Sequence, residues 1–188
     1  MNSSARSVLL ILDVWNAVKG AELEFGPRAR LDFGYLPQRT RALFPGADIR
    51  GAAFMSRYRR DHDGDAQQDA IRNACSAVGF RDILVKITDR PPTTPFFPHG
   101  TNDTDVDLAV YALTKGVTVD AFVVASGDGD FAPLYSALRE RRQHVVVMAY
   151  RSTLSARVAQ TVDQVIILGE ESLLHVAEEQ VEKPSPAN

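Results

Sequence analysis

The sequence predicts an α/β fold built on a parallel sheet. Short apolar runs rich in valine, leucine and isoleucine alternate along the chain with segments of helical periodicity. The runs 8–12 and 123–125 are apolar throughout, as expected for strands that are buried on both faces. Glycine or proline stands at several of the boundaries, for example Gly79 and Gly116. Strand and helix therefore alternate as they do in βαβ units.

The first half of the chain gives two strands and one helix before residue 60. Strand one covers 7–13, because its apolar run ends at an aspartate. The stretch 19–34 is predicted to be irregular, because three glycines and a proline interrupt it. A helix follows at 35–44 and is stopped by Pro45-Gly46, and strand two covers 49–55.

The middle of the chain continues the alternation. A helix at 65–78 ends at Gly79, and strand three covers 82–87. The stretch 91–100 holds four prolines, which exclude a helix or a central strand.

The second half repeats the pattern three more times. A helix at 104–115, with an apolar stripe through Val106, Ala109, Val110 and Leu113, is closed by Gly116. The last elements are predicted at 119–125 (strand), 130–142 (helix), 144–150 (strand), 153–160 (short helix) and 164–168 (strand).

Length and composition limit the class of protein. The chain has 188 residues, 45% of them hydrophobic, and no apolar run approaches the length of a membrane span. We expect one domain over 1–169, followed by a helical extension with a frayed end over 170–188. The absence of a signal-peptide pattern and the single cysteine, Cys75, predict a cytoplasmic protein. The net charge of −3 argues mildly against a general nucleic-acid binder.

Acidic residues stand where apolar strands end. Asp13 closes strand one, and Asp128 and Asp130 follow strand four in the run Ser-Gly-Asp-Gly-Asp. The helix at 104–115 adds Asp105 or Asp107, which point in different directions, so only one is expected at this edge. Carboxylates that lie close together repel one another, which has a high energetic cost unless a positive group lies between them. A divalent metal is such a group, and ligands that are all oxygen atoms suit Mg²⁺ or Mn²⁺. The alternative is that these residues only form turns and helix caps.

Three sequence blocks resemble the signature blocks of the NYN domain, the LabA-like branch of the PIN-like nuclease superfamily. They are Asp13-Val-Trp-Asn16, Asp105-Val-Asp-Leu-Ala-Val and the run from Ser126 to Leu134. The resemblance covers about residues 7–168 and implies a three-layer α/β/α fold of PIN-like architecture. It also implies metal-dependent RNA cleavage, with Asp13, Asp105, Asp128 and Asp130 as the catalytic and metal-binding residues.

Other side chains are expected to contact the substrate. Asn16 and Ser126 are placed to hydrogen-bond a ligand carboxylate or a phosphate. Arg57, Arg59 and Arg60 follow strand two and suit the phosphates of RNA, although they are equally interpreted as a solvated loop. The segment 90–100, with Phe96, Phe97 and His99, is interpreted as a lid or stacking platform, or equally as a homodimer contact.

The resulting hypothesis is a metal-dependent ribonuclease acting on single-stranded or structured RNA, without a membrane partner. A non-catalytic NYN-fold module that binds RNA or protein is the first alternative. It is motivated by Asn102 and Tyr111, which stand where the family often has lysine and aspartate. A metal-dependent phosphatase is the second alternative, and Trp15, two residues after Asp13, argues against it because that position would hold a second acid.

Overall fold

The computed structural model describes residues 5–58, 62–88 and 104–174. Within these residues, six parallel strands form one sheet. They are β1 (Ser7–Asp13), β2 (Asp48–Tyr58), β3 (Phe80–Thr88), β4 (Ala121–Ala125), β5 (His144–Ala149) and β6 (Gln164–Ile167). Their spatial order is β3-β2-β1-β4-β5-β6, so β1 and β4 are neighbours at the centre.

Helices cover both faces of the sheet, which confirms the predicted three layers. The described helices are α1 (Val14–Phe25), α2 (Tyr35–Leu43), α3 (His62–Ala77), α4 (Asp105–Lys115), α5 (Ala132–Glu140) and α6 (Ala156–Thr161). Residues of α1, α2 and α3 share one buried cluster, and residues of α4, α5 and α6 share the other.

Side-chain alternation along β1 assigns each residue to one of these two clusters. Val8, Leu10 and Leu12 belong to the cluster of α1–α3, whereas Leu9 and Ile11 belong to the cluster of α4–α6. The odd-numbered series continues to Asp13, so its carboxylate lies on the side of the sheet that α4 and α5 cover.

Cys75 lies buried on α3, as predicted, and burial raises the pKa of its thiol to about 12.

The prediction of an irregular segment at 19–34 was wrong for its first part. The helix α1 runs unbroken through Gly20 and ends at Phe25, and it is followed by Gly26, whose φ of 100° suits glycine. Gly20 is not a turn residue. A Cβ at this position would lie 2.6 Å from Cδ2 of Tyr150, so the glycine allows α1 to pack closely against that ring.

The predicted apolar stripe of α4 was wrong for its two valines, whereas Ala109 and Leu113 do pack against the buried cluster. Val106 is 71% exposed and Val110 is 54% exposed, whereas Leu108 and Ala112 are fully buried. The helix carries apolar residues on two sides, so periodicity alone does not determine which side faces the sheet. The observed orientation places Asp105 on the same side as Leu108 and Ala112, because residues three and seven positions apart share a helix face.

The chain after Gly169 begins with a 3-10 turn at Glu170–Ser172, shorter than the predicted helix. Leu173 pairs with Leu31 in an isolated antiparallel bridge, and the hydroxyls of Ser172 and Tyr150 lie 2.8 Å apart. These contacts attach the start of the predicted extension to the domain, and the rest of it, 175–188, lies outside the described residues. In the described part of the chain, every helix is too short or too polar to cross a membrane.

Candidate active site

The candidate site lies at the carboxyl ends of β1 and β4. The strand order reverses between these two strands, because the chain adds β2 and β3 on one side of β1 and β4–β6 on the other. In open parallel sheets, ligands bind in the crevice at such a switch point. Leu12 pairs with Ala125 in the last position of this ladder, so Asp13 and Ser126 emerge next to each other.

Asp13 is the last residue of β1 and is only 1% exposed. Its Oδ1 accepts a hydrogen bond of 3.3 Å from the backbone N–H of Asn16 and so caps helix α1. Its Oδ2 accepts a hydrogen bond of 3.0 Å from the hydroxyl of Ser126. The helix N-terminus and the serine donor stabilise a buried negative charge at this position.

The loop after β4 is tied to the start of α1. The side-chain carbonyl of Asn16 accepts a hydrogen bond of 2.9 Å from the N–H of Gly127. Gly127 is needed for close packing, since a Cβ there would lie 2.7 Å from the carbonyl carbon of Thr153. The N–H of Ser155 also donates to the carbonyl of Gly127 at 2.9 Å. Two other segments of the chain, the start of α1 and residues 153–155, therefore fix the backbone that carries Ser126.

Asp128 caps the 3-10 turn Gly129–Phe131 that leads into α5. Its Oδ1 accepts a hydrogen bond of 2.9 Å from the N–H of Asp130, and its own N–H donates to the Ser126 hydroxyl oxygen at 3.3 Å. Its other carboxylate oxygen accepts no hydrogen bond from the described residues. Asp130 lies exposed on the turn. The capping role considered for Asp130 thus falls to Asp128, which remains at the cleft with one oxygen available.

Tyr135 was not predicted as a site residue. It lies on α5, and the structure buries it completely. Its hydroxyl, however, has no hydrogen-bond partner among the described residues. Burial, followed by the negative charges of Asp13 and Asp128, raises the pKa of the Tyr135 hydroxyl. Tyr135 shares its buried cluster with Leu9 and Ile11, so the phenol lies on the side of the sheet that Asp13 faces.

The two acids at the start of α4 have different surroundings. Asp105 lies on the buried side of the helix, and its Oδ1 is inaccessible to solvent. Asp107 is turned toward β3, where it forms an ion pair of 3.1 Å with Lys86. Asp105 is thus the acid of this pair that faces the interior beside the sheet.

Tyr111, one helical turn after Asp107, is used for packing. Its hydroxyl donates to the carboxylate of Asp82, and its ring meets Phe54 edge-on with centroids 5.4 Å apart. Desolvation, then the Asp82 hydrogen bond, raises the pKa of Tyr111 to about 12. The tyrosine thus joins α4 to β2 and β3 and is not a substitute for a carboxylate at the cleft.

The prediction that Arg57 lies in a loop was wrong. Strand β2 continues to Tyr58, because the ladder with β3 extends to the pair Tyr58–Thr88. Asp13 pairs with Phe54, so both strands project beyond the level of the acidic edge. Arg57 belongs to this projection. Arg59, Arg60, Asn102 and the segment 90–100 lie outside the described residues.

The donor chemistry fits an open magnesium or manganese site. Magnesium is usually bound by one or two carboxylates, with water and substrate phosphate completing its shell. Asp13 and Asp128, linked through Ser126, provide two such carboxylates. In the described part of the chain, no three Asp, Glu, His or Cys side chains converge closely enough to hold a metal ion. The set of four aspartates therefore stays a prediction, and the pair Asp13 and Asp128 is what the structure brings together.

Comparison with known proteins agrees with this architecture. The family model described as "NYN domain" matches residues 13–169. The chain superposes on the crystal structure of a protein of unknown function, VPA0982, from Vibrio parahaemolyticus, with a TM-score of 0.70 and 19% identity, over 93% of this chain and 100% of that one. That similarity shows the fold alone. No curated protein matches the sequence. NYN domains are generally nucleases of PIN-like fold. Because the family model matches most of its residues, the chain belongs to the NYN domain family.

Proposed function

We propose that this chain is a metal-dependent ribonuclease that hydrolyses phosphodiester bonds in single-stranded or structured RNA. One observation carries the proposal. Asp13 is held almost fully buried at the end of a central strand, and a single serine hydroxyl connects it to the loop that presents Asp128. Burying a carboxylate has a high energetic cost that donors and positive groups beside it offset. A divalent cation at the cleft would add to the helix N-terminus and the Ser126 hydroxyl in stabilising that charge.

The cation proposed is Mg²⁺ or Mn²⁺. When bound at such a site, it would lower the pKa of a water and neutralise charge on the scissile phosphate. Asp13 and Asp128 are the residues that would hold it. Both cap helices, so their carboxylates are fixed by backbone N–H groups before any ligand arrives. Fixed ligands lose little freedom on binding, which favours both affinity and rate.

The neighbouring residues have supporting roles in this proposal. Ser126 orients the Asp13 carboxylate through its hydroxyl, and Asn16 holds the Gly127 backbone that follows it. Asp105, on the buried side of α4, is proposed as a further acid of the site. Asp130, exposed on the 3-10 turn, is proposed to act at the entrance of the cleft.

Basic side chains beside the edge are proposed to contact the RNA backbone. Lys86 lies on the projecting part of β3 and is about one-third exposed. Arg157 lines an open groove between α5 and α6 that begins at Ala132, just after the 3-10 turn. Arg57, Arg59 and Arg60 are also proposed to contact the phosphates of RNA. Together these charges would offset the repulsion between RNA and an acidic cleft.

The single buried cysteine suits the reducing cytoplasm, which we propose as the site of action.

The proposal is tested by incubating the full chain with a mixed pool of RNAs in Mg²⁺, in Mn²⁺ and in chelator. We expect cleavage in at least one metal, none in chelator, and recovery when metal is added back. Cleavage that persists unchanged in chelator would contradict a metal-dependent reaction. Binding of RNA without cleavage under every condition would favour the non-catalytic module, for which the use of Tyr111 in packing is the specific observation.

A further inference from the structure

The hydroxyl of Tyr135 is a buried polar group that the fold itself does not explain. The side chain has no solvent exposure, and its ring contacts Phe131 with centroids 6.3 Å apart. No described residue gives the hydroxyl a hydrogen bond. A buried hydroxyl left unpaired destabilises a fold, and a phenylalanine would fill the same space without that cost. The oxygen therefore has a use other than packing.

The surroundings of Tyr135 show what the hydroxyl can reach. It belongs to the same buried cluster as Leu9, Ile11 and Val124, the residues that precede Asp13 and Ser126 on the same face of β1 and β4. The helix that carries it begins directly after the turn capped by Asp128. The same two aspartates contribute to the raised pKa of its hydroxyl. The carboxylates of Asp13 and Asp128 are thus the charged groups of the proposed metal site that act electrostatically on the phenol from the same side of the sheet.

We infer that Tyr135 is a positioning residue, whose hydroxyl donates a hydrogen bond to the Asp13 or Asp128 carboxylate when that pair holds a divalent cation. The inference rests on the proposed function, because it needs the pair to bind a metal. A carboxylate that gives one oxygen to a cation keeps lone pairs for a donor on its other side. Donors of this kind orient metal-binding side chains, and their removal typically weakens metal affinity by about 10–100-fold.

The test compares Mn²⁺ affinity in the wild type, in Tyr135→Phe and in Tyr150→Phe, by electron paramagnetic resonance of free Mn²⁺. Tyr150 is the matched control. It is also fully buried, but it belongs to the cluster on the opposite face of the sheet, and its hydroxyl lies 2.8 Å from that of Ser172. We expect Tyr135→Phe to bind Mn²⁺ about tenfold more weakly while melting, without metal, at or above the wild-type temperature. We expect Tyr150→Phe to melt lower and to bind Mn²⁺ like the wild type.

Each other outcome separates this inference from the function on which it rests. Equal Mn²⁺ affinity in the wild type and Tyr135→Phe would overturn the inference and leave the metal site standing. No Mn²⁺ binding by the wild type would remove the metal from the proposed function, and the inference with it. A marked loss of metal-free stability in Tyr135→Phe would show that the hydroxyl already has a structural partner, which also overturns the inference.

Discussion

The hydroxyl of Ser126 donates a hydrogen bond of 3.0 Å to Oδ2 of Asp13 and so joins the ends of two neighbouring strands. The same oxygen accepts a bond of 3.3 Å from the N–H of Asp128. One small side chain thus sets the relative placement of the two acids to which we assign the metal. The five expectations that follow test this placement and the fold that supports it.

Replacing Ser126 by alanine is expected to lower both stability and metal affinity. The variant loses a buried hydrogen bond to a charged group, which should reduce the free energy of unfolding by about 1.5–3 kcal/mol. Mn²⁺ affinity should fall by about tenfold or more, because Asp13 loses its orienting donor. Urea unfolding and a Mn²⁺ titration measure the two effects. Ser136→Ala, at an exposed position on α5, is the control and should change neither. A wild-type free energy of unfolding and a wild-type Mn²⁺ affinity in Ser126→Ala would count against the assigned role of the Ser126–Asp13 hydrogen bond.

Gly127→Ala is expected to be more damaging than Gly129→Ala. The new Cβ at 127 would lie 2.7 Å from the Thr153 carbonyl carbon and 2.8 Å from Cα of Leu154, which are backbone atoms. At 129 it would lie 2.7 Å from the Ser155 hydroxyl, a side-chain atom that can move away at the cost of its 3.3 Å hydrogen bond from the N–H of Arg157. We expect a loss of about 1–3 kcal/mol for Gly127→Ala and a smaller one for Gly129→Ala, measured by urea unfolding. The reverse order would show that the loop is not held as described.

Asp105→Asn and Asp107→Asn are expected to differ in activity. Asp107 forms a partly exposed ion pair with Lys86, so its loss should change stability by no more than about 1 kcal/mol and leave RNA cleavage near the wild-type rate. Asp105 faces the interior, so Asp105→Asn should slow cleavage by about tenfold or more. Initial rates on a labelled RNA separate the two variants. Equal rates would remove Asp105 from the site.

Asp120 is expected to contribute stability that depends on pH. Its carboxylate accepts hydrogen bonds from the N–H groups of Arg6 and Ser7 and from the Ser7 hydroxyl, and these contacts lower its pKa. Because the folded-state pKa is the lower one, the contribution is present above the unfolded value of about 4 and is lost as pH falls through the folded value. Melting of Asp120→Asn should be lower than that of the wild type near neutral pH. The difference should shrink in acid, and a constant difference would contradict this assignment.

The positions of Asp13 and Asp128 could be predicted from the sequence because both follow apolar runs. Parallel strands end at one edge of a sheet, so residues that close such runs lie at that edge whatever the details of the helices. The hydrogen bond between Ser126 and Asp13 could not be predicted in the same way. It requires β1 and β4 to be adjacent, and strand order is a property of the whole chain.

Helix orientation and helix length were harder to predict. The valines Val106 and Val110 imitate a core stripe, yet they face solvent. Gly20 was interpreted as a turn residue because glycine is common in turns, but it allows α1 to pack closely against Tyr150. The position of Tyr135 in an apolar helical pattern predicts that its ring is buried, but this pattern gives no information about its hydroxyl. In each case the local pattern is compatible with two roles, and contacts distant in sequence decide between them.

Cleavage of a labelled single-stranded RNA in Mn²⁺ by Asp13→Asn and Asp128→Asn is the most direct test of the proposed reaction. Each change removes one negative charge and keeps the shape of the side chain, so circular dichroism should show a folded protein. We expect each rate to fall on the order of a thousand-fold or more, whereas Asp48→Asn, exposed at the start of β2, should cut like the wild type. Wild-type rates in the Asp13 and Asp128 variants would contradict a catalytic role for the acidic edge.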